Sequence, residues 1–383
     1  MLMIGALLLT LSFLRLQRVD PGFVPTGVLT AGVVLPIPGG FEPKRDGPGW
    51  ARFFAALDDR LARGAGIEAA GAVSALPLTG TIEGGAMAIA GQPAPAAGQA
   101  LQAEYAVVEG NYFNAMRIPL VAGRRFDRSD LAGTTPVMIV NREFVRQYLS
   151  TTQPLGTQVI PYFDFSDGRP RTIVGVVANV QSASLDAAIK PQVYVPEQQM
   201  PYPGLRIVIR TKAGTDPLAA LPLLKRELRA LDPSVAVAEA RRIDAIFAES
   251  LARQKFSMTI MGVFAVSAIV LAMVGLYGVI ALSVGQRRRE IGVRMAVGAR
   301  SFDVLRLMLV EGLRITGAGL AIGVAGAVAA SRVMTAMLFG VSATNIAVYA
   351  SAITTIALVT LAATLVPARR ATRVDPTLAL RAE

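Results

Sequence analysis

The run between Lys255 and Arg287, FSMTIMGVFAVSAIVLAMVGLYGVIALSVGQ, carries no charged side chain. A helix rising ~1.5 Å per residue needs about 20 apolar residues to cross a hydrocarbon core of ~30 Å. This run meets the requirement over about 256–284, and two further runs meet it at 307–330 and 346–366. A single run of this kind is compatible with a buried core helix. Three in the final third of the chain, joined by loops of contrasting charge, point to a membrane domain.

The loop Gln286–Asp303 holds five arginines, and the tail from Pro367 holds Arg369, Arg370, Arg373 and Arg381. The loop Ser331–Asn345 holds only Arg332. Basic loops stay on the cytoplasmic side, so the first two are expected inside, the third outside, and everything before Phe256 outside. The net charge is +11, from 38 Lys+Arg against 27 Asp+Glu. Residues 256–383 contribute 12 arginines and five acids, so most of the excess follows the membrane loops. A nucleic-acid binder would gather its basic residues on a soluble module, and no nucleic-acid partner is expected.

The opening MLMIGALLLTLSFL is apolar but only 14 residues long, roughly 21 Å as a helix. It lacks the basic start and small-residue cleavage site of a signal peptide. The expectation is the outer part of a transmembrane helix whose inner part is missing. That gives four spans, the first incomplete, with both ends in the cytoplasm.

Cysteine and histidine are absent. This excludes disulfides, thiol chemistry, most zinc sites and Ser–His or Cys–His nucleophile pairs. There is no Gly-Lys dipeptide, hence no Walker A loop. No catalytic, cofactor-binding or metal-ligating residue is assigned, and any ATP hydrolysis belongs to another chain.

Between about Asp20 and Glu249 the pattern is globular α+β. Gly27–Leu35 and Ile67–Ser74 suit strands flanking an amphipathic helix, Trp50–Ala62, with Phe53, Phe54, Leu57 and Leu61 on one side. Leu205–Thr211, a helix over Asp216–Leu231 and Val235–Ala238 repeat that β-α-β order. Between them lie strands at Val137–Val140 and Thr172–Val177 and a helix at Arg142–Leu149. The expected architecture is a β-α-β, porter-like subdomain (22–108 plus 200–242) with a second subdomain inserted at 109–199. From Ile243 the helical pattern runs without Pro or Gly, so a continuous stalk helix into the first full span is expected. The divisions are then 1–21, 22–242 and 243–383.

QRRREIGVRMAVGA (Gln286–Ala299) resembles the cytoplasmic coupling segment of MacB/FtsX-type ABC transporter permeases. PARRATRVDPTLALRAE resembles the tail after their last span. VEGNYFNAMRIPLVAGRRF (Val108–Phe126), PVMIVNREFV and TIVGVVANV are similar to their MacB-like periplasmic core domain. SFLRLQRVDPGF (Ser12–Phe23) resembles the acidobacterial-type permeases that carry this unit twice, of which this chain would be the C-terminal half. The resemblance implies mechanotransmission. A cytoplasmic ATPase grips the coupling segments of two permease units, a homodimer or a fused pair, and rocks the outer domains. It also implies efflux or extraction of amphiphiles, with a periplasmic adaptor as a further partner; some members instead regulate an external cell-wall enzyme.

Within the coupling segment, Arg287, Arg288 and Arg289 anchor a helix end at anionic headgroups. Glu290, Ile291, Gly292, Arg294, Met295, Gly298 and Ala299 follow as a short amphipathic stretch. Lying on the membrane and docking into an ATPase cleft are both open to it; the resemblance implies docking. Glu290 is placed to pair with Arg294 at i, i+4 or with the ATPase. In the tail, Pro367, Arg370, Asp375, Pro376, Leu380 and Arg381 carry the likeness. Glu311 and Arg314 lie near the inner interface as a local ion pair. Gly319 and Gly323 form a small-xxx-small pair suited to close helix packing. Asp127, Asp130, Glu143, Asp164 and Asp167 lack the spacing of a calcium loop and read as a solvated face. Tyr105, Tyr112, Phe113 and Met116 line either a core or a hydrophobic groove.

Overall fold

The computed structural model describes residues 1–37, 42–80, 83–93, 100–149, 153–163, 166–286, 301–334 and 338–371. They form two compact units, Met1–Arg18 with Ala252–Glu383, and Val19–Leu251. Helix α1 (Leu2–Leu16) belongs to the first unit.

The second unit is α+β. It opens with β1 (Val28–Val34), α2 (Pro43–Ala62) and β2 (Ile67–Val73). It closes with β10 (Gly204–Thr211), a 3-10 turn at Pro217–Ala220, α5 (Leu221–Leu231) and β11 (Val237–Arg242). These strands lie in the order β11-β1-β10-β2, each neighbouring pair antiparallel. β1 and β2 therefore run parallel on either side of β10, the split β-α-β arrangement of ferredoxin-like folds. Helix α2 buries Trp50, Phe54, Leu57 and Leu61, the i, i+4, i+7 stripe of an amphipathic helix, and α5 adds Leu224 and Leu228 to the same core. The helix starts at Pro43 rather than at Trp50, because proline's fixed φ suits a first helical turn.

Between β2 and β10 the chain forms β3 (Glu83–Ile89), β4 (Leu101–Gly110), α3 (Tyr112–Ala115), β5 (Leu120–Gly123), β6 (Val137–Asn141), α4 (Arg142–Tyr148), β7 (Gln158–Tyr162), β8 (Arg171–Val177) and β9 (Gln192–Pro196). The order β4-β3-β7-β8-β6-β9 returns on itself, because β9 pairs in parallel with β4 from Glu104↔Gln192 to Val108↔Pro196. The six strands close into a barrel, which removes their free edges. Val107, Met138, Val140, Ile173 and Val193 are buried in the shared core. Asn141 starts α4. Its carboxamide oxygen accepts the Phe144 and Gln192 backbone N–H groups at 2.8 and 3.0 Å, and its amide donates to the Lys190 carbonyl. The subdomain boundary expected at 108/109 falls inside β4. β3 and β4 pair with β7 and β9, so the barrel begins directly after β2.

The stalk expected to be continuous is divided at Leu251. Helix α6 spans Ile243–Ser250 and α7 spans Ala252–Gln286. The Ser250 hydroxyl donates to the Phe247 carbonyl at 2.7 Å, the acceptor an α-helix would offer to the Leu251 N–H. The Leu251 N–H turns instead to Ala248 at 3.2 Å. Such local side-chain bonds compete with the helical ladder.

The first unit is completed by α7, α8 (Ser301–Met334) and α9 (Ile346–Ala371). Three stretches, Gln254–Ser283, Gly312–Ala330 and Ile346–Leu365, are long and apolar enough to cross a membrane. The 15-residue α1 is apolar and packs among them, with Met3, Ile4, Ala6 and Leu8 buried against Ala265, Ala327, Val348 and Ala352. Small residues on the longer helices let it approach closely. Where Phe264, Val266, Leu271, Val274 and Leu282 of α7 stay exposed, the apolar surface is suited to lipid.

Candidate functional site

The helix ends of the membrane unit sort the basic loops. Near the α1 C-terminus, the Phe339 N–H donates to the Ser12 hydroxyl at 2.8 Å, so the loop containing Phe339 meets that end. At the opposite end, Gly312 of α8 lies against Thr364 of α9 and Ile280 of α7. The α7–α8 connection and the chain after α9 therefore leave from one end of the bundle. Arg289, Glu290, Ile291, Gly292, Arg294, Met295, Gly298 and Ala299 lie outside the described residues, as do Asp375, Pro376, Leu380 and Arg381. Pro367 and Arg370 fall in the last turns of α9.

Gly319 and Gly323 do not meet another helix closely. A Cβ at Gly319 would find nothing within 4 Å, and one at Gly323 would stand 3.7 Å from the Met1 nitrogen. Both line an apolar cavity of about 420 Å³ with Ile269, Leu276, Ile315 and Ile356. Close approach occurs two to three turns earlier, at Gly312, where a Cβ would stand 2.7 Å from the Thr364 methyl. Gly312→Leu is therefore expected to destabilise the bundle by about 1–3 kcal/mol, and Gly319→Leu to be tolerated. Thermal denaturation of the detergent-purified protein, read by size exclusion, checks this ranking.

In the outer domain the candidate groove residues are core. Tyr105, Tyr112, Phe113 and Met116 are all buried. Tyr105 stacks on Phe163 at 4.0 Å, and Phe113 meets Tyr194 edge-on at 5.1 Å. The acidic residues considered for calcium are engaged elsewhere. Asp127 and Asp130 hold Arg124, Glu143 holds Arg146, and Asp167 holds Arg169; Asp164 lies outside the described residues. Among the described residues no group of three or more His, Cys, Asp or Glu is placed to hold a metal ion.

A different acidic cluster emerges where α2 crosses the end of β4. Asp58 comes from α2, Glu109 from β4 and Glu197 from the turn after β9. The Asp58 carboxyl lies so close to Gly110 that a Cβ there would stand 2.3 Å from its atoms, and Gly110 has φ +61°. Only glycine combines that backbone with that contact. Asp58 Oδ1 is buried without a hydrogen-bond partner. Glu197 is fully buried, and its contacts are long, 3.4 Å from the Tyr202 N–H and 3.5 Å from Gln198 Nε2. Gln198 Nε2 also donates to the Ala51 carbonyl of α2 at 2.9 Å.

Loss of hydration disfavours the ionised forms. Burial, with Asp59 nearby, pushes Asp58 up to about 7. Burial, reinforced by Asp58, pushes Glu109 up to about 7. Burial, with Glu109 adding to it, holds Glu197 well above the usual carboxylate range. Arg128 acts on the cluster from its rim, where it bonds Asp59 at 2.9 Å. Sequence reasoning missed these three residues because they stand far apart in the chain and only the crossing of α2 over the sheet joins them.

The family model for the MacB-like periplasmic core domain matches residues 23–226. The model for the FtsX-like permease C-terminal region matches residues 262–376. The macrolide export ATP-binding/permease protein MacB of Escherichia coli strain K12 is 27% identical over 223 residues, 57% of this chain and 34% of that protein. Its counterpart in Shigella flexneri is 26% identical over the same length. The chain thus spans about a third of the length of the curated relatives it matches. Among solved structures, the periplasmic region of MacB from Actinobacillus actinomycetemcomitans is 16% identical, with a TM-score of 0.38 over 61% of this chain and 95% of that one.

Proposed function

Because the chain belongs to the MacB/FtsX-type ABC transporter permease family, we propose that it is a non-catalytic permease subunit working by mechanotransmission. A separate cytoplasmic ATPase docks on the segment around Glu290–Ala299, and its cycle is transmitted to the outer domain. The output is efflux or extraction of an amphiphilic substrate at the outer face of the bacterial inner membrane. The unit acts beside a second permease unit, with a periplasmic adaptor as a further partner. The observation that carries this reading is the union, on one chain, of the core-domain match at 23–226 with the FtsX-like match at 262–376. The meeting of the end of α7, the start of α8 and the end of α9 at Ile280, Gly312 and Thr364 supports a single ATPase-facing end.

Ile291→Asp with Met295→Asp is expected to abolish co-purification with the ATPase while leaving the outer domain folded, because charge replaces the apolar face of the docking segment. Undiminished co-purification would sink the reading. With the assembled complex, stimulation of ATP hydrolysis by amphiphiles supports transport. Stimulation of a bound external hydrolase in their place moves the function to FtsX-like regulation.

A further inference from the structure

We propose that Asp58, Glu109 and Glu197 form a proton-operated latch: protons held in this cluster keep α2 docked across β4 and β9, and their loss releases it. The geometry brings the Asp58 carboxyl of α2 against Gly110, the residue after Glu109, and ties the Glu197 N–H to the Val108 carbonyl of β4 at 2.9 Å, so the three elements meet at one crossing. Every charged or titratable group that acts on it can be named. Asp58 and Asp59 come from α2, Glu109 from β4, Glu197 from the turn after β9, and Arg128 from the segment after β5. Arg128 is engaged by Asp59, and among the described residues no cation forms an ion pair with Asp58, Glu109 or Glu197. Asp58 Oδ1 lies unpartnered, and Glu197 has no donor nearer than 3.4 Å. Glu197 is fully buried while Asp58 and Glu109 are half-buried, and although the Gln198 amide bonds Glu109, burial without a cation favours the protonated forms.

The neutral form allows tight contact, and ionisation sets like charges against one another across the crossing. Gln198 marks the same seam, since its amide ties the turn after β9 to the Ala51 carbonyl. The burial of Asp58 and Glu109 places their proton loss near neutrality, at about pH 7. The outer domain would thereby change the seating of one helix over the pH range that a bacterial envelope meets.

The chain carries its own reporter. Trp50 is the sole tryptophan, sits on α2 and is 5% exposed. With the 383-residue chain in detergent, its emission is expected to move to longer wavelength between pH 5.5 and 8.5, with a midpoint near 7 (about the ionisation range given by burial). Asp58→Asn with Glu109→Gln mimics the protonated pair and should remove most of that shift. Glu197→Gln keeps the neutral form that burial favours at that position and should leave the shift in place, so the double variant carries the test and the single variant is its control. Hydrogen exchange separates release from unfolding: α2 amides should lose protection at pH 8.5 while β1 and β10 keep theirs. Emission independent of pH, an unchanged titration in the double variant, or uniform loss of protection overturns the latch.

Discussion

Replacing Arg210 by methionine is expected to lower the stability of the outer domain by about 3–5 kcal/mol. The side chain is 2% exposed near the C-terminal end of β10. Its Nε donates to the Ala115 carbonyl at 2.7 Å, and its two terminal nitrogens donate to the Thr26 and Val24 carbonyls at 2.8 Å each. One guanidinium therefore ties the entry into β1, the end of α3 and the central strand of the four-stranded sheet. Burial pulls the group below its usual range, yet a guanidinium stays charged, so the bonds are charge-assisted. Methionine fills similar volume and removes every donor, leaving three buried carbonyls to bear the desolvation cost. At roughly 2–4 °C per kcal/mol for a domain of this size, Tm should fall by roughly 6–20 °C. Arg210→Lys keeps a charge but offers a single point of contact, and should fall between the two. Thermal unfolding of the full chain followed by circular dichroism decides it; a change under about 2 °C would mean that the three carbonyls find other donors.

Arg210 also shows what local pattern conveys and what it does not. Leu205–Thr211 reads as a strand from its alternation, but the carbonyls that Arg210 holds lie 95 to 186 residues away. The strands rich in Val and Ile were legible for the same reason, as were the α2 stripe and the long apolar helices. β3 was not. Its sequence, Glu-Gly-Gly-Ala-Met-Ala-Ile, lacks the β-branched run that marks a strand, because Gly85 must leave room for Phe163, whose Cβ would stand 2.3 Å from a side chain there. β11 reaches beyond the expected Val235–Ala238 to Arg242. Among the described residues it pairs with β1 alone, across a bulge near Glu239 (φ +47°), and its outer positions carry charge. The hydrophobic signal ends before the strand does, as on a protected sheet edge. In the membrane the small-residue motif was visible, but sequence spacing alone cannot choose between Gly319, which opens on a cavity, and Gly312, which carries the contact.

The carboxylate crossing leads to an unusual pH dependence of stability. Asp58 and Glu109 have ordinary values of 3.8 and 4.5 when unfolded and are raised to about 7 by burial in the fold. Between about pH 4 and 7 the unfolded chain has lost protons that the folded chain still holds, so stability falls as pH rises. The full contribution is present below the unfolded values and is lost once pH passes the folded ones. Glu197, raised well above its usual range, adds to the same slope. The carboxylates held low by hydrogen bonds, such as Asp127 bonded by Ser129 and Glu143 by Arg146, act in the opposite sense, but only below about pH 4. The windows are therefore separate. Each tenfold gain in a carboxylate's proton affinity on folding is worth ~1.4 kcal/mol, and because both groups are partly exposed, water screens some of that, leaving about 2 kcal/mol each. Asp58→Asn and Glu109→Gln should thus leave Tm unchanged near pH 4 and raise it at pH 8, with the double variant nearly flat between them. A native chain that grows more stable from pH 5 to 8, or variants that shift Tm equally at both ends, would show that the three carboxyls are hydrated in the fold and hold no protons at neutral pH.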